Sequence, residues 1–338
     1  MALKSAFLGC GPRARQHALA YKLVTQGQLV AICDMNEERL QAFGAEFGID
    51  RRYTNLDQML ETERPDLLHI VTLPTLRVDL MATAAAHGVP VAIVEKPIAI
   101  QGEDYRQIKA LGERATTRFV VNTQLHFHPR NLELKRYVAE GHIGEVRFID
   151  VSARSTMLDQ GVHVLELAHS YNGFVSPVHV FGQVSGGANL TSRQPAPDVA
   201  EAAIDFANGV RALMVCGTVA PRANDSESIY AHKRISVYGT RGFVQWKMSG
   251  WERFSPEDGY AGGPSDYGEQ DVRAQAALTD AAFEWARDEG KPHPTRLARN
   301  LEQFSVVLAA YASALNAAPI DLPFDPPDRM LETFQERL

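Results

Sequence analysis

Short apolar runs alternate with helical periods through the first 120 residues. Residues 4–8, 29–33, 66–73, 91–94 and 119–122 are apolar and often β-branched, as in strands buried on both faces. Between them, apolar positions recur at helical spacing over about 15–24, 55–60, 76–87 and 101–115, and Gly88 closes the third of these stretches. This alternation predicts an α/β Rossmann domain, a doubly wound parallel sheet, over residues 1–122. From about residue 145 the period changes. Strand patterns at 146–153, 178–185, 199–206, 210–218, 234–238 and 243–248 follow one another directly. Asn208-Gly209 and Gly239-Thr240-Arg241-Gly242 are hairpin signals between two such pairs. Residues 123–338 therefore read as an α+β domain with a large, open, mostly antiparallel sheet. Within it, 255–268 is rich in Gly, Pro, Asp and Ser and is read as a mobile surface loop. Amphipathic helices over 269–289 and 297–315 and a Pro-rich tail complete the chain.

Composition narrows the class of partner. The 338 residues suit two domains, with 45% hydrophobic and 22% charged residues as in an ordinary soluble protein. A net charge of -7, without a basic stripe, argues against nucleic acid as a partner. No apolar run approaches the ~18–20 residues of a membrane span, so no membrane role is expected. The first apolar run passes straight into Gly9-Cys10-Gly11, which fits a first strand better than a secretory signal. Cys10, Cys33 and Cys216 are scattered and odd in number, giving neither a disulfide framework nor a metal spacing. The expected location is the cytoplasm.

Three stretches carry chemistry. Gly9-x-Gly11-x-x-Ala14 lies between a strand and a helix, the arrangement of a dinucleotide fingerprint. Gly9 permits the tight turn, Gly11 leaves room for pyrophosphate, and Ala14 allows close helix–strand packing. Asp34, ending the second strand, is placed to bond the ribose hydroxyls of NAD; as a helix N-cap it would do so alongside a structural role. With no Arg directly after it, a 2′-phosphate would be repelled, so NAD is expected and NADP is less so. Glu95-Lys96-Pro97 ends the Val91 strand, and ligands bind at the carboxyl ends of such strands. The plainer reading of that triplet is a solvated Glu-Lys pair. Asp159-x-Gly161-x-His163, with Glu166 and His169 beyond, concentrates titratable groups at a turn into a helix. Histidine carries protons near neutral pH and a carboxylate can set its tautomer. No metal is expected there. His17 and His69 lie in apolar stretches and are read as satisfied core histidines.

These motifs together resemble the Gfo/Idh/MocA family of nicotinamide-dependent sugar and polyol oxidoreductases. The likeness runs from the glycine turn through Glu95-Lys96-Pro97 to Asp159-x-Gly161-x-His163. It includes Glu140-Gly141-His142-Ile143-Gly144-Glu145-Val146 and the Gly239–Gly242 turn. The resemblance implies a Rossmann domain carrying NAD(P), a covering antiparallel sheet, and a homodimer or homotetramer paired through that sheet's outer face. It also implies a cis peptide before Pro97 and a proton-transfer set of Lys96, Asp159 and His163. The cofactor set is then Gly9, Gly11, Pro12, Arg13, Ala14, Asp34, Thr72, Pro74, Glu95 and Lys96. Substrate contacts fall to Lys96, His126, Arg154, Asp159 and His163. The chain departs from the family pattern at Arg77, at His126 and at Glu166, where His, Arg and Asp respectively are common.

The reading is an NAD-dependent dehydrogenase acting on CH–OH groups of a sugar, polyol or related small molecule. An NAD-dependent glycosidase working by transient oxidation, or a non-catalytic NAD-binding regulator, are the alternatives.

Overall fold

The computed structural model describes residues 2–338. In the first half of the chain the elements are β1 Leu3–Leu8, α1 Pro12–Ala20, β2 Gly27–Cys33, α2 Glu37–Phe47, β3 Arg51–Tyr53, α3 Leu56–Glu63, β4 Leu67–Ile70, α4 Arg77–Ala86, β5 Val91–Glu95, α5 Gly102–Arg114 and β6 Arg118–Asn122. Then come α6 Pro129–Ala139, β7 Val146–Ala153, α7 Val162–Tyr171, β8 Pro177–Ser185, β9 Val199–Phe206, β10 Arg211–Cys216, β11 Lys233–Gly239, β12 Phe243–Lys247, β13 Gly250–Ser255 and β14 Gly259–Pro264. The chain closes with α8 Tyr267–Arg287, α9 Leu297–Asn316, β15 Ile320–Asp321 and α10 Met330–Arg337.

Contacts divide these elements into two compact units. One takes the chain to Ala99 together with Tyr105–Phe127 and Asp271–Asn300; the other takes Ile100–Asp104, His128–Gln270 and Leu301–Leu338. Most of α8 clusters with the first unit although it follows the second sheet in sequence. The reason is burial. Leu278, Ala282 and Phe283 of α8 form one apolar cluster with Leu67, Val91, Ile93 and Val120 of the first sheet.

The first unit holds six parallel strands in the order β3-β2-β1-β4-β5-β6. This is the doubly wound order, whose reversal between β1 and β4 opens a crevice at the strands' carboxyl ends. On the same face of the sheet, in register with Ile93 and Val120, Phe7 and Ile32 pack with Leu40 and Phe43 and with Ala14 and Ala18 of α1. Asn36, not Asp34, caps α2: its side chain accepts from the Arg39 amide. That leaves Asp34 for other partners.

The second unit holds nine strands in the order β14-β13-β12-β11-β7-β10-β9-β8-β15. Every neighbouring pair is antiparallel except β7 with β10. Asn208-Gly209 and the 239–242 turn make the two hairpins that their sequences predict. Side chains alternate across the sheet: Ile149, Val151, Ile235, Val237, Val244 and Trp246 are buried, and intervening positions face outward. The stretch 255–268 is not a loop. It contains β14, which pairs with β13 along all six of its residues, and the first two residues of α8. Gly-rich sequence has low strand propensity, but pairing on the sheet edge overrides it. The Pro-rich tail likewise carries β15 and α10.

Candidate active site

The first unit builds a cradle at the start of α1. Gly9 has φ +97°, and a Cβ there would lie 2.3 Å from the Val71 carbonyl oxygen, so only glycine fits. Gly11 is different: a Cβ built on it meets nothing within 4 Å. No side chain caps α1, so its first amides and the space beside Gly11 are available to an anion. Pro12 at the first position withholds one donor. Ala14 is fully buried against the core, which keeps the helix close to the sheet. These features fit the pyrophosphate of a dinucleotide.

Asp34 is tied to that turn. Its Oδ2 accepts from the Cys10 amide at 2.9 Å, and its Oδ1 accepts from the Asn36 amide and from Arg39 Nη2, both at 2.8 Å. Burial alone would raise its carboxyl pKa, but the Arg39 guanidinium and the two amides outweigh burial and hold it below the usual value. A neutralising Arg is therefore present after all, one helical turn beyond the position where the sequence lacks one.

Glu95 is not a solvated strand end. It is 5% exposed. Its Oε1 accepts from Arg13 Nε at 2.9 Å, His17 Nε2 at 2.8 Å and Asn122 Nδ2 at 2.7 Å. Burial pushes its pKa up, yet the Arg13 charge, the His17 hydrogen bond and the Lys96 charge hold it well below the ordinary carboxylate value. Arg13 and Glu95, both read as cofactor contacts, bond to each other. The reading of His17 and His69 as satisfied core histidines holds: both are fully buried, and each ring nitrogen has a partner. Their pKa values are lowered, chiefly by burial.

Lys96 follows directly, with a cis peptide to Pro97 as the resemblance implied. Thr72 is half-buried and Pro74 buried in the segment after β4. Arg77, fully buried, donates to the carbonyls of Ile70 and Thr72, both at 3.4 Å, and braces the end of β4. Burial lowers its pKa to about 10. His126 is buried with its ring edge-on to Phe127.

In the second unit, Met157–Gly161 forms a π-helical turn that runs without a break into α7. Gly161 is needed for packing, because a Cβ there would stand 2.8 Å from both Cys216 Sγ and Met214 Cε. The turn aims Asp159 into a cavity of about 510 Å³ that Arg154 also lines, with Ser155, Thr156, Asn189 and Gln194. Asp159 accepts from Ser155 Oγ at 2.6 Å and from Gln160 Nε2 at 3.0 Å. Gln160 Oε1 accepts in turn from the buried Lys233 at 2.9 Å. Arg154 donates to the Ala220 carbonyl at 2.7 Å. His163, Glu166 and His169 follow on α7, all buried. Burial lowers the His169 pKa to about 4 against the opposing charge of Glu166. Among the described residues no three His, Cys, Asp or Glu side chains gather into a metal-binding group.

Sequence comparison bears on both units. Residues 3–123 match an oxidoreductase family with an NAD-binding Rossmann fold, and residues 131–245 match the C-terminal domain of the same family. The chain belongs to the Gfo/Idh/MocA family. As a member it is a dehydrogenase that acts on CH–OH groups of a small molecule with a nicotinamide cofactor. D-apiose dehydrogenase from Paraburkholderia graminis is 28% identical over 94% of this chain and 89% of its own. Inositol 2-dehydrogenase from Rhizobium meliloti is 23% identical over 72% of this chain and 75% of its own. An oxidoreductase from Agrobacterium radiobacter, solved in complex with NAD+, L-tartaric acid and magnesium, is 25% identical with a TM-score of 0.82, covering 95% of this chain and 98% of that one.

Proposed function

We propose that the chain is an NAD-dependent dehydrogenase that oxidises a secondary alcohol of a sugar, polyol or related small molecule, or reduces the matching ketone. The observation that carries this reading is the end of β5, where a buried, ionised Glu95 anchors the strand and Lys96 stands next in sequence. A dehydrogenase must take a proton from the reacting hydroxyl as the hydride leaves, and a lysine at the carboxyl end of a sheet strand suits that task. Gly9, Gly11 and the start of α1 would hold the pyrophosphate, and Asp34 the ribose. The nicotinamide supplies the hydride chemistry when bound.

The protein's own share is geometry and proton handling. Lys96 Nζ or the His163 ring takes the hydroxyl proton, and Asp159 orients the substrate or polarises His163. Hydroxyl, carboxamide, guanidinium and carboxylate groups around the Asp159 cavity suit a ligand with several hydroxyls. The relatives named for D-apiose and inositol support the same substrate class.

A panel of sugars and polyols assayed for NADH formation tests the activity, and variants test the roles. Lys96→Met and His163→Ala should each lower kcat by about 10²–10⁴-fold, with NAD affinity nearly unchanged. If the two act as a unit, the double variant loses far less than the product of the single losses. Near-native turnover in either single variant would remove that residue from the mechanism.

A further inference from the structure

Behind Lys96 runs a single file of buried polar groups that the proposed chemistry does not use. It begins at Glu95 Oε1 and passes to His17 Nε2 at 2.8 Å. From His17 Nδ1 it continues to His69 Nδ1 at 3.2 Å, and from His69 Nε2 to the Tyr21 hydroxyl at 2.8 Å. The Ser5 hydroxyl lies 2.6 Å further on. The Phe7 ring packs against both imidazoles, so the file lies in an apolar surround.

Proton accounting gives this file a direction. An ionised carboxylate only accepts, so His17 Nε2 must carry hydrogen. Burial keeps His17 neutral, so its Nδ1 has no hydrogen and accepts. His69 Nδ1 must then donate to it, and neutral His69 is left with a bare Nε2 that accepts a hydrogen bond from the Tyr21 hydroxyl. From the Tyr21 hydroxyl to Glu95 each link then donates toward the carboxylate, the hydroxyl turning to His69 in place of Ser5. Hydrogen bonds aligned head to tail polarise one another, and the effect is strongest where water is excluded. The far side of Glu95 is closed in the same way. Asn122 donates to Oε1, and Gln275 Nε2 donates to Asn122 Oδ1 at 3.0 Å, which fixes the amide's orientation.

We propose that His17 is a positioning residue for Lys96: with His69 and Tyr21 behind it, it fixes the Glu95 carboxylate in one place and charge state, and thereby the lysine that follows in the chain. The inference rests on the reading of Lys96 as the proton-transfer residue. It assigns a function to histidines that otherwise only fill the core.

The test compares His17→Gln with His17→Leu. Glutamine keeps a donor for Glu95 and an acceptor for His69; leucine keeps the bulk and loses both. His17→Leu should lower kcat by about 10- to 100-fold, a loss of one or two aligned hydrogen bonds at the reacting group. The substrate KM and the NAD dissociation constant should stay within about 3-fold, since no binding contact is touched. His17→Gln should recover most of the kcat. Should His17→Leu not fold, Tyr21→Phe gives the same comparison from the far end, with kcat lowered by about 3- to 10-fold. Native kcat in folded His17→Leu or in Tyr21→Phe would overturn the proposal, as would a glutamine variant as impaired as the leucine one. Lys96→Met separates the two layers. If that variant turns over normally, the reading of Lys96 has failed; if it is inactive while His17→Leu is not impaired, only the positioning role has failed.

Discussion

On the proposed reading, Asp34 is the residue on which cofactor choice turns. Its carboxylate can accept from a ribose 2′-hydroxyl and would repel a 2′-phosphate. Yet Arg39 pairs with it at 2.8 Å and is the group a phosphate would seek. The native chain should therefore bind NAD more tightly than NADP in a fluorescence titration. Asp34→Ser removes the repulsion and leaves Arg39 to meet the phosphate, so the NADP-to-NAD affinity ratio should rise by about 10- to 100-fold, the worth of one charged hydrogen bond. Adding Arg39→Leu should abolish the gain. Equal or tighter NADP binding by the native chain would contradict the assignment. The Asp34 position was legible in sequence because it follows a strand at a fixed distance from the glycine turn. Arg39 was not, since its approach depends on α2 starting at Glu37. The Glu95 file was hidden for the same reason. His17, His69, Glu95 and Asn122 lie far apart in sequence and meet only because α1, β4, β5 and β6 are neighbours.

Strands and helices with a clear period were legible nearly to the residue; β7 and β9 have the bounds that their alternation predicts. What failed was chemistry without a period. β14 has three glycines and a proline in six residues, and only its partner strand makes it a strand. The buried histidines make an element-scale prediction. His169 in α7 is held at a pKa of about 4, and His293, between α8 and α9, at about 3, both chiefly by burial. The free histidine value is near 6.5. Between these limits the unfolded chain binds protons that the folded chain refuses. Stability contributed above pH 6.5 is thus lost as pH falls toward 4 and 3 respectively. The slope is about 1.4 kcal/mol per pH unit for each histidine. Urea unfolding of the whole chain at pH 6.5 and pH 5 should differ by about 3 kcal/mol from these two groups, since at pH 6.5 the unfolded histidines are only half protonated. An unchanged midpoint across that range would show that the two sites admit protons without unfolding.

At the scale of the whole molecule, no helix among the described residues is long and apolar enough to cross a membrane. The outward face of the nine-stranded sheet carries a row of aromatic side chains. Phe148, Tyr238, Phe243 and Phe254 lie on four adjacent strands, with successive ring centroids 6.0, 6.2 and 6.3 Å apart. Tyr238 and Phe254 are 38% and 39% exposed, and Leu213 on β10 is 48% exposed. Contiguous aromatic surface of this kind marks an association site. We expect a second copy of the chain to cover it, giving a dimer or tetramer by light scattering. Tyr238→Glu with Phe254→Glu should shift the mass toward a 37.3 kDa monomer. A native chain that is monomeric at micromolar concentration would rule this out.

The helix that returns from the far end of the chain has a consequence for biosynthesis. Leu67, Val91, Ile93 and Val120 are all made by residue 122, but Leu278, Ala282 and Phe283, which lie against them, come about 150 residues later. At ribosomal rates of roughly 5–20 residues per second, the nascent chain carries that apolar sheet face bare for about 10–30 s. A chaperone that shields exposed sheet during this interval should raise the yield of native protein. A gene truncated after residue 122 should give an insoluble product even though every strand of the first sheet is encoded.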